Sequence, residues 1–98
     1  MDENKLIADI ASAAARIFRV SPEDIIGHGK SRVLTDARYL AMYIARERGE
    51  YTFRIAEFFG VSNQTVCYGI NRMSEHLKLY RSLRDKHDWI CQLFENYL

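Results

Sequence analysis

Residues 52–73 read TFRIAEFFGVSNQTVCYGINRM, and the nine at the centre, Phe58 to Val66 (FFGVSNQTV), decide how the chain turns. An aromatic pair stops at Gly60, one apolar residue follows, and Ser62, Asn63, Gln64 and Thr65 stand together before Val66. Upstream, Phe53, Ile55, Ala56 and Phe59 mark the inner face of a two-turn helix over Phe53–Phe59, which Thr52 can cap. Gly60 suits the left-handed position just past a helix end, where a Cβ is costly. Ser62 is the N-cap of a second helix, carried by Val66, Ile70, Met73 and Leu77. Ala56 is small enough for the two helices to cross closely, with Val61 and Val66 plugging the inside of the corner. This arrangement is a helix-turn-helix. Its spacing leaves two readings open, a DNA-binding element and a plain structural corner.

The outward face of the second helix bears on that choice. With Val66 pointing to the core and about 100° per residue, Gln64, Tyr68 and Asn71 fall on the opposite side, and Arg72 flanks them. Asn and Gln can pair with adenine in the major groove through two hydrogen bonds, and Thr can bond a base or touch a thymine methyl. Recognition helices offer their N-terminal residues to base edges, and Asn63, Gln64 and Thr65 stand there. The same four polar residues are also good helix-start composition. Cap and reader are both open, with Ser62 chiefly the cap.

The rest of the chain reads as helix. Leu6, Ile10, Ala13 or Ala14, Ile17 and Phe18 recur at steps of three and four, which predicts a helix from about Asn4 to Arg19. Ser21-Pro22-Glu23-Asp24 combines an N-cap, proline at the first helical position and acids in the first turn, opening a very short helix through Ile26. Gly27-His28-Gly29-Lys30-Ser31 follows as a flexible loop. Leu34, Leu40, Ala41, Tyr43 and Ile44 carry a helix from about Val33 to Arg48, closed by Gly49. Ser82-Leu83-Arg84-Asp85 resembles a capping box, and Trp89, Ile90, Leu93, Phe94 and Tyr97 form an apolar stripe on a last helix. That stripe packs the helix on the core, or receives a second copy or a partner helix. No stretch alternates with period two. The expectation is an all-α bundle of five to six helices, one domain over 1–98.

Composition narrows the function classes. The 98 residues are 48% apolar and 12% aromatic, with one proline and five glycines, enough to bury a core without metals or disulfides. No apolar run nears the roughly 18 residues of a membrane span, and the acidic start MDENKLIADI is unlike a signal peptide. The chain is read as soluble and cytoplasmic. Its net charge is only +1, but the charge is uneven. Acids gather near the ends, while His28 to Arg48 holds Lys30, Arg32, Arg38, Arg46 and Arg48 against Asp36 and Glu47. A basic middle suits phosphate contacts.

Catalytic patterns are missing. Cys67 and Cys91 are read as two semi-buried thiols of a reducing compartment, with no CxxC and no histidine at metal spacing. His28, His76 and His87 are read as scattered, with no second ligand at i+3 or i+4. No GxSxG and no GxxxxGK[ST] phosphate loop occurs, and Glu23-Asp24 are helix-start charges. The chain is read as no enzyme, without metal, nucleotide or other cofactor.

Three stretches, VSPEDIIG, KSRVLTDARYLAMYIARE and TFRIAEFFGVSNQTVCYGINRM, resemble the C-terminal DNA-binding domain (domain IV) of the bacterial replication initiator DnaA, a Trp-repressor-like helix-turn-helix fold. The similarity runs from about Ile7 to Phe94, with its core at about 7–78 and a C-terminal helix over 82–98. It implies double-stranded DNA as the partner. Position by position, it implies Lys30 in the minor groove with Ser31 and Arg32 beside it. Arg38 and its neighbour Tyr39, Arg46 and Thr52 would meet phosphates or groove edges, and Ser62 to Thr65, with Tyr68, Asn71 and Arg72, the major groove. Read from the residues alone, Lys30 and Arg32 can also be solvated loop charges, and Arg38 and Arg46 surface partners of Asp36, Glu47 or Glu50.

The chain departs from the family at the turn. GVSNQTV stands where the family usually has GGRDHSTV or a close variant, Tyr39 where it often has glutamine, and the loop is less basic. The docking mode is expected to carry over and the DNA sequence read is not. Taken as complete, the chain is expected to be a free-standing binding module, a regulator or an accessory factor of replication, a phage or a mobile element. The rival expectations are a protein-interaction module that keeps the fold, and a fragment of a larger initiator.

Overall fold

Six helices are present among the residues that the computed structural model describes, 4–95, and no strand. In chain order they are α1 (Lys5–Phe18), α2 (Pro22–Ile26), α3 (Arg32–Glu47), α4 (Thr52–Phe59), α5 (Asn63–Leu79) and α6 (Arg81–Leu93). Tyr97, placed in the last apolar stripe by sequence, lies outside the described residues.

α3 is the axis on which the others assemble, packing most extensively against α1 and α5 and also against α2, α4 and α6. Its composition explains this role. Ala37, Ala41 and Ala45, four apart and fully buried, keep one stripe of the helix low, and Leu40, Met42 and Ile44 fill the space beside it. α1 answers with Ile7, Ile10, Ala11, Ala14 and Ala15, again at steps of three and four. Ile25, Ile55, Ala56, Phe59, Val66, Met73, Leu83, Ile90 and Phe94 complete the core, and no polar or charged described residue is buried in it. The radius of gyration, 12.1 Å, is close to the ~13 Å of a tightly packed chain of about 100 residues.

The helix starts sort into those set by a serine and those that are not. Ser21, Ser31 and Ser62 each accept a hydrogen bond from the backbone N–H three residues on, at Asp24 (3.1 Å), Leu34 (3.2 Å) and Thr65 (3.1 Å). Two expected caps are corrected. Tyr51 holds the N-cap position of α4 without a side-chain cap bond, and Thr52 is already the first helical residue. Ser82 is likewise inside α6, because α5 and α6 share Tyr80 as their junction. There Arg84 Nη1 donates to the carbonyls of Leu77 (2.8 Å) and Lys78 (3.2 Å), closing the end of α5 instead. Phe53 is corrected too. It is 61% exposed, stacked on Tyr51 with ring centroids 5.6 Å apart.

Gly60 adopts φ +68, and its N–H and that of Val61 close α4 onto Glu57 and Ala56. Beyond it the chain reverses into α5, with Ile55, Ala56 and Phe59 on one side of the corner and Val66 on the other, all buried.

Candidate nucleic-acid interface

The Gly27–Ser31 loop is held by a side chain that the sequence reading sends outward. Arg38, two turns into α3, turns back on it. Its Nε donates to Ile25 O (2.7 Å), Nη2 to Asp24 O (3.1 Å) and Nη1 to Gly29 O (3.1 Å). A planar guanidinium can serve three carbonyls at once, which an ammonium cannot. Two of the acceptors lie at the end of α2, where a five-residue helix leaves carbonyls without intrahelical partners. Burial among them pushes the Arg38 pKa down, and the neighbouring Tyr39 opposes that. The expected phosphate cation thus builds the loop that carries Lys30, which is itself exposed.

Within the extensive packing of α5 on α3, one approach is especially close. Gly69 is buried, and a Cβ there would stand 2.7 Å from Tyr39 Cδ1 and 3.0 Å from Cε1. The Tyr39 ring therefore lies directly on the α5 backbone. Tyr68 meets the same ring edge-on, at 6.2 Å between centroids, and is 56% exposed. At the start of α5, Ser62 Oγ and Thr65 Oγ1 are 2.9 Å apart, so the cap and the half-buried Thr65 form one hydroxyl pair. Asn63, Gln64, Asn71 and Arg72 are exposed along the helix.

Two adjoining grooves result. The first is lined by His28, Lys30, Arg38, Tyr39, Val61 and Thr65, so the loop and the start of α5 form its opposite walls. Arg32, Asp36, Tyr39, Arg72, His76 and Tyr80 line the second. Thr35 and Tyr39 are common to both and form the ridge between them. The positive end of the α5 dipole and the cations Lys30, Arg32 and Arg72 thus border one continuous surface. Arg32 stands at a long 3.9 Å from the Asp36 carboxylate.

Other expected site residues are elsewhere. Arg46 is about 12 Å further along α3 than Arg38, and its Nη1 bonds Glu50 O at 3.2 Å. It lines neither groove, nor does Thr52. Arg48, part of the basic middle, points to the far end of the molecule and donates to Cys91 O (3.0 Å) and Phe94 O (3.1 Å). Thr35, His76, Tyr80 and Gly69 are participants that the sequence reading did not single out. A glycine inside a helical pattern signals a close approach, and Gly69 carried that signal.

The cysteines and histidines also need correcting. Cys67 is exposed rather than semi-buried, and Cys91 stands four residues after His87 on α6, a spacing at which two side chains can hold one metal.

The corner at Gly60, with α5 capped by Ser62 and turned polar side out, is that of a helix-turn-helix domain. The chain belongs to the bacterial dnaA protein helix-turn-helix family, which it matches over residues 7–73. That family is a non-catalytic one. The chromosomal replication initiator protein DnaA of Leifsonia xyli subsp. xyli (strain CTCB07) is 32% identical over 87 residues, which cover 85% of this chain. Those of Clavibacter sepedonicus and Clavibacter michiganensis subsp. michiganensis (strain NCPPB 382) match to the same extent. The chain spans 18% of the length of each of these relatives. No described helix is long and apolar enough to cross a membrane.

Proposed function

We propose that this domain binds double-stranded DNA sequence-specifically, with α5 in the major groove and the Lys30 loop in the adjacent minor groove. The observation that carries the reading is the groove whose two walls are that loop and the start of α5. Lys30, Arg32 and Arg72 supply attraction to phosphates, and Asn63, Gln64, Tyr68 and Asn71 supply groups that can read bases. Arg38 acts indirectly, by fixing the shape of the loop. In the cell the domain would work in the cytoplasm, on the chromosome or a mobile element, as a regulator or accessory factor of replication.

Fluorescence anisotropy on random-sequence duplexes tests this. The expected result is binding that weakens linearly in log Kd with log salt. Absence of any salt-dependent binding at low ionic strength overturns it.

A second reading rests on Trp89 and Leu93, which are 63% and 60% exposed one turn apart on α6. Such a patch favours contact with a second copy or another protein. A molar mass that rises with concentration, and falls back in Trp89→Ser, supports that role alongside DNA binding.

A further inference from the structure

α3 and α6 bring together three side chains that the DNA-binding reading leaves unused. Glu47 ends α3, and His87 and Cys91 stand one turn apart on α6, facing it. Glu47 Oε1 lies 2.7 Å from His87 Nε2, and Cys91 Sγ lies 3.7 Å from the same nitrogen. All three ligand atoms fall within 4.8 Å of one another. We propose that Glu47, His87 and Cys91 form a tetrahedral site for a zinc-class divalent ion. The fourth position is left to water, and the ion staples α6 to α3.

The nitrogen–sulfur distance suits that coordination. With Zn–N near 2.0 Å and Zn–S near 2.3 Å, the N···S edge of a tetrahedron is about 3.6 Å, against 3.7 Å here. The N···O edge is about 3.3 Å on the same bond lengths, so Glu47 has to draw back by about half an ångström. Its side chain is 43% exposed and has the room. In the metal-free protein Nε2 and Oε1 stand at hydrogen-bond distance, and the ion takes the place of that contact.

The surroundings are those of a ligating histidine. Asp88 Oδ1 lies 3.2 Å from His87 Nδ1, the second-layer carboxylate that fixes the tautomer and leaves Nε2 free to bind. Tyr43 meets the imidazole edge-on at 5.7 Å and limits its rotation. A thiolate and a carboxylate together neutralise a dication. The mixture of sulfur, nitrogen and oxygen excludes the hard ions magnesium and calcium, which take oxygen ligands.

Cobalt(II) titration of the reduced, chelator-treated protein provides the test, because it reports ligand type and geometry. The expected result is one cobalt per chain, with the intense bands of tetrahedral thiolate coordination, displaced by zinc. Zinc at a hundredfold excess over its Kd should raise Tm by about 10 °C. Cys91→Ser should abolish the thiolate band, and His87→Gln and Glu47→Gln should weaken cobalt binding at least tenfold. Circular dichroism checks that each variant is folded, and Cys67→Ser should behave as the parent protein. An octahedral cobalt spectrum, no binding by the folded parent, or a band lost in Cys67→Ser but kept in Cys91→Ser each overturns the site.

Discussion

The Tyr39 ring lies against the backbone of Gly69, so close that a Cβ at Gly69 would stand 2.7 Å from its Cδ1. This contact sets how deeply α5 sits on α3, and so where the polar face of α5 points. Gly69→Ala brings two opposed effects. Alanine in a helix interior is worth up to about 1 kcal/mol over glycine, while forcing a methyl into a filled space costs about 1–3 kcal/mol. The clash should win, with a net loss of about 1 kcal/mol in chemical denaturation. In a Tyr39→Ala background the clash is gone, and the same change should stabilise by about 0.5–1 kcal/mol. Additive effects in that cycle would show that the ring does not set the seat of α5.

Arg38 separates a structural cation from a phosphate cation. Arg38→Lys keeps the charge but cannot bond Ile25 O, Asp24 O and Gly29 O together. A stability loss of about 1–2 kcal/mol is expected, with faster amide exchange in the 27–31 loop. A variant as stable as the parent, with an unchanged loop, would return Arg38 to the surface.

How much of this was legible depended on the range of each interaction. Gly60, Ser62 and the Ser21-Pro22 start act within three residues of themselves, so the sequence states them directly. Tyr51, Thr52 and Phe53 lie just as close in sequence, yet the reading failed. Whether Phe53 faces the core depends on where α4 meets α5, and the ring finds Tyr51 instead. The sequence marks Arg38 but hides its partners, because its acceptors are carbonyls 9 to 14 residues upstream that come within reach only once α2 and the loop have folded. Glu47 and His87, 40 residues apart, carry no local sign of each other. The i+4 spacing of His87 and Cys91 was visible.

Lys30 and Gln64 should fail differently if the proposed docking is right. A phosphate or minor-groove cation contributes to all sequences, so Lys30→Ala should weaken every duplex and reduce the log–log salt slope by about 1. A base reader contributes to one position. Gln64→Ala should leave the slope alone and erase about 1–3 kcal/mol of discrimination at a single base pair, read by selection from a random duplex pool. Equal losses on all sequences in both variants would argue against α5 as the reading element.

Cys67 offers a footprint of the same face. It is exposed on α5, one turn after Asn63 and one turn before Asn71. Cys91 is half-buried, and burial and then Glu47 push its thiol pKa up, so less of it is thiolate at a given pH. In the free protein an alkylating reagent should modify Cys67 first. With a bound duplex covering α5, the Cys67 rate should drop at least tenfold while that of Cys91 stays constant, as mass spectrometry of the two peptides would report. Protection of neither cysteine under saturating DNA would place the duplex on another surface.

Arg48 links the end of α3 to the end of α6, donating to Cys91 O and Phe94 O with its guanidinium 5.9 Å from the centre of the Phe94 ring. Those carbonyls lie at the C-terminal end of α6, where Cys91 O also accepts from the Phe94 N–H at 3.0 Å. Arg48→Ala should therefore cost about 1–2 kcal/mol and fray α6 from its C-terminal end. Hydrogen exchange should rise in residues 90–95 before it rises in α1 or α3. DNA affinity should change little, because Arg48 is remote from both grooves. A variant that loses DNA binding while α6 keeps its protection would mean that Arg48, not Lys30, faces the phosphates.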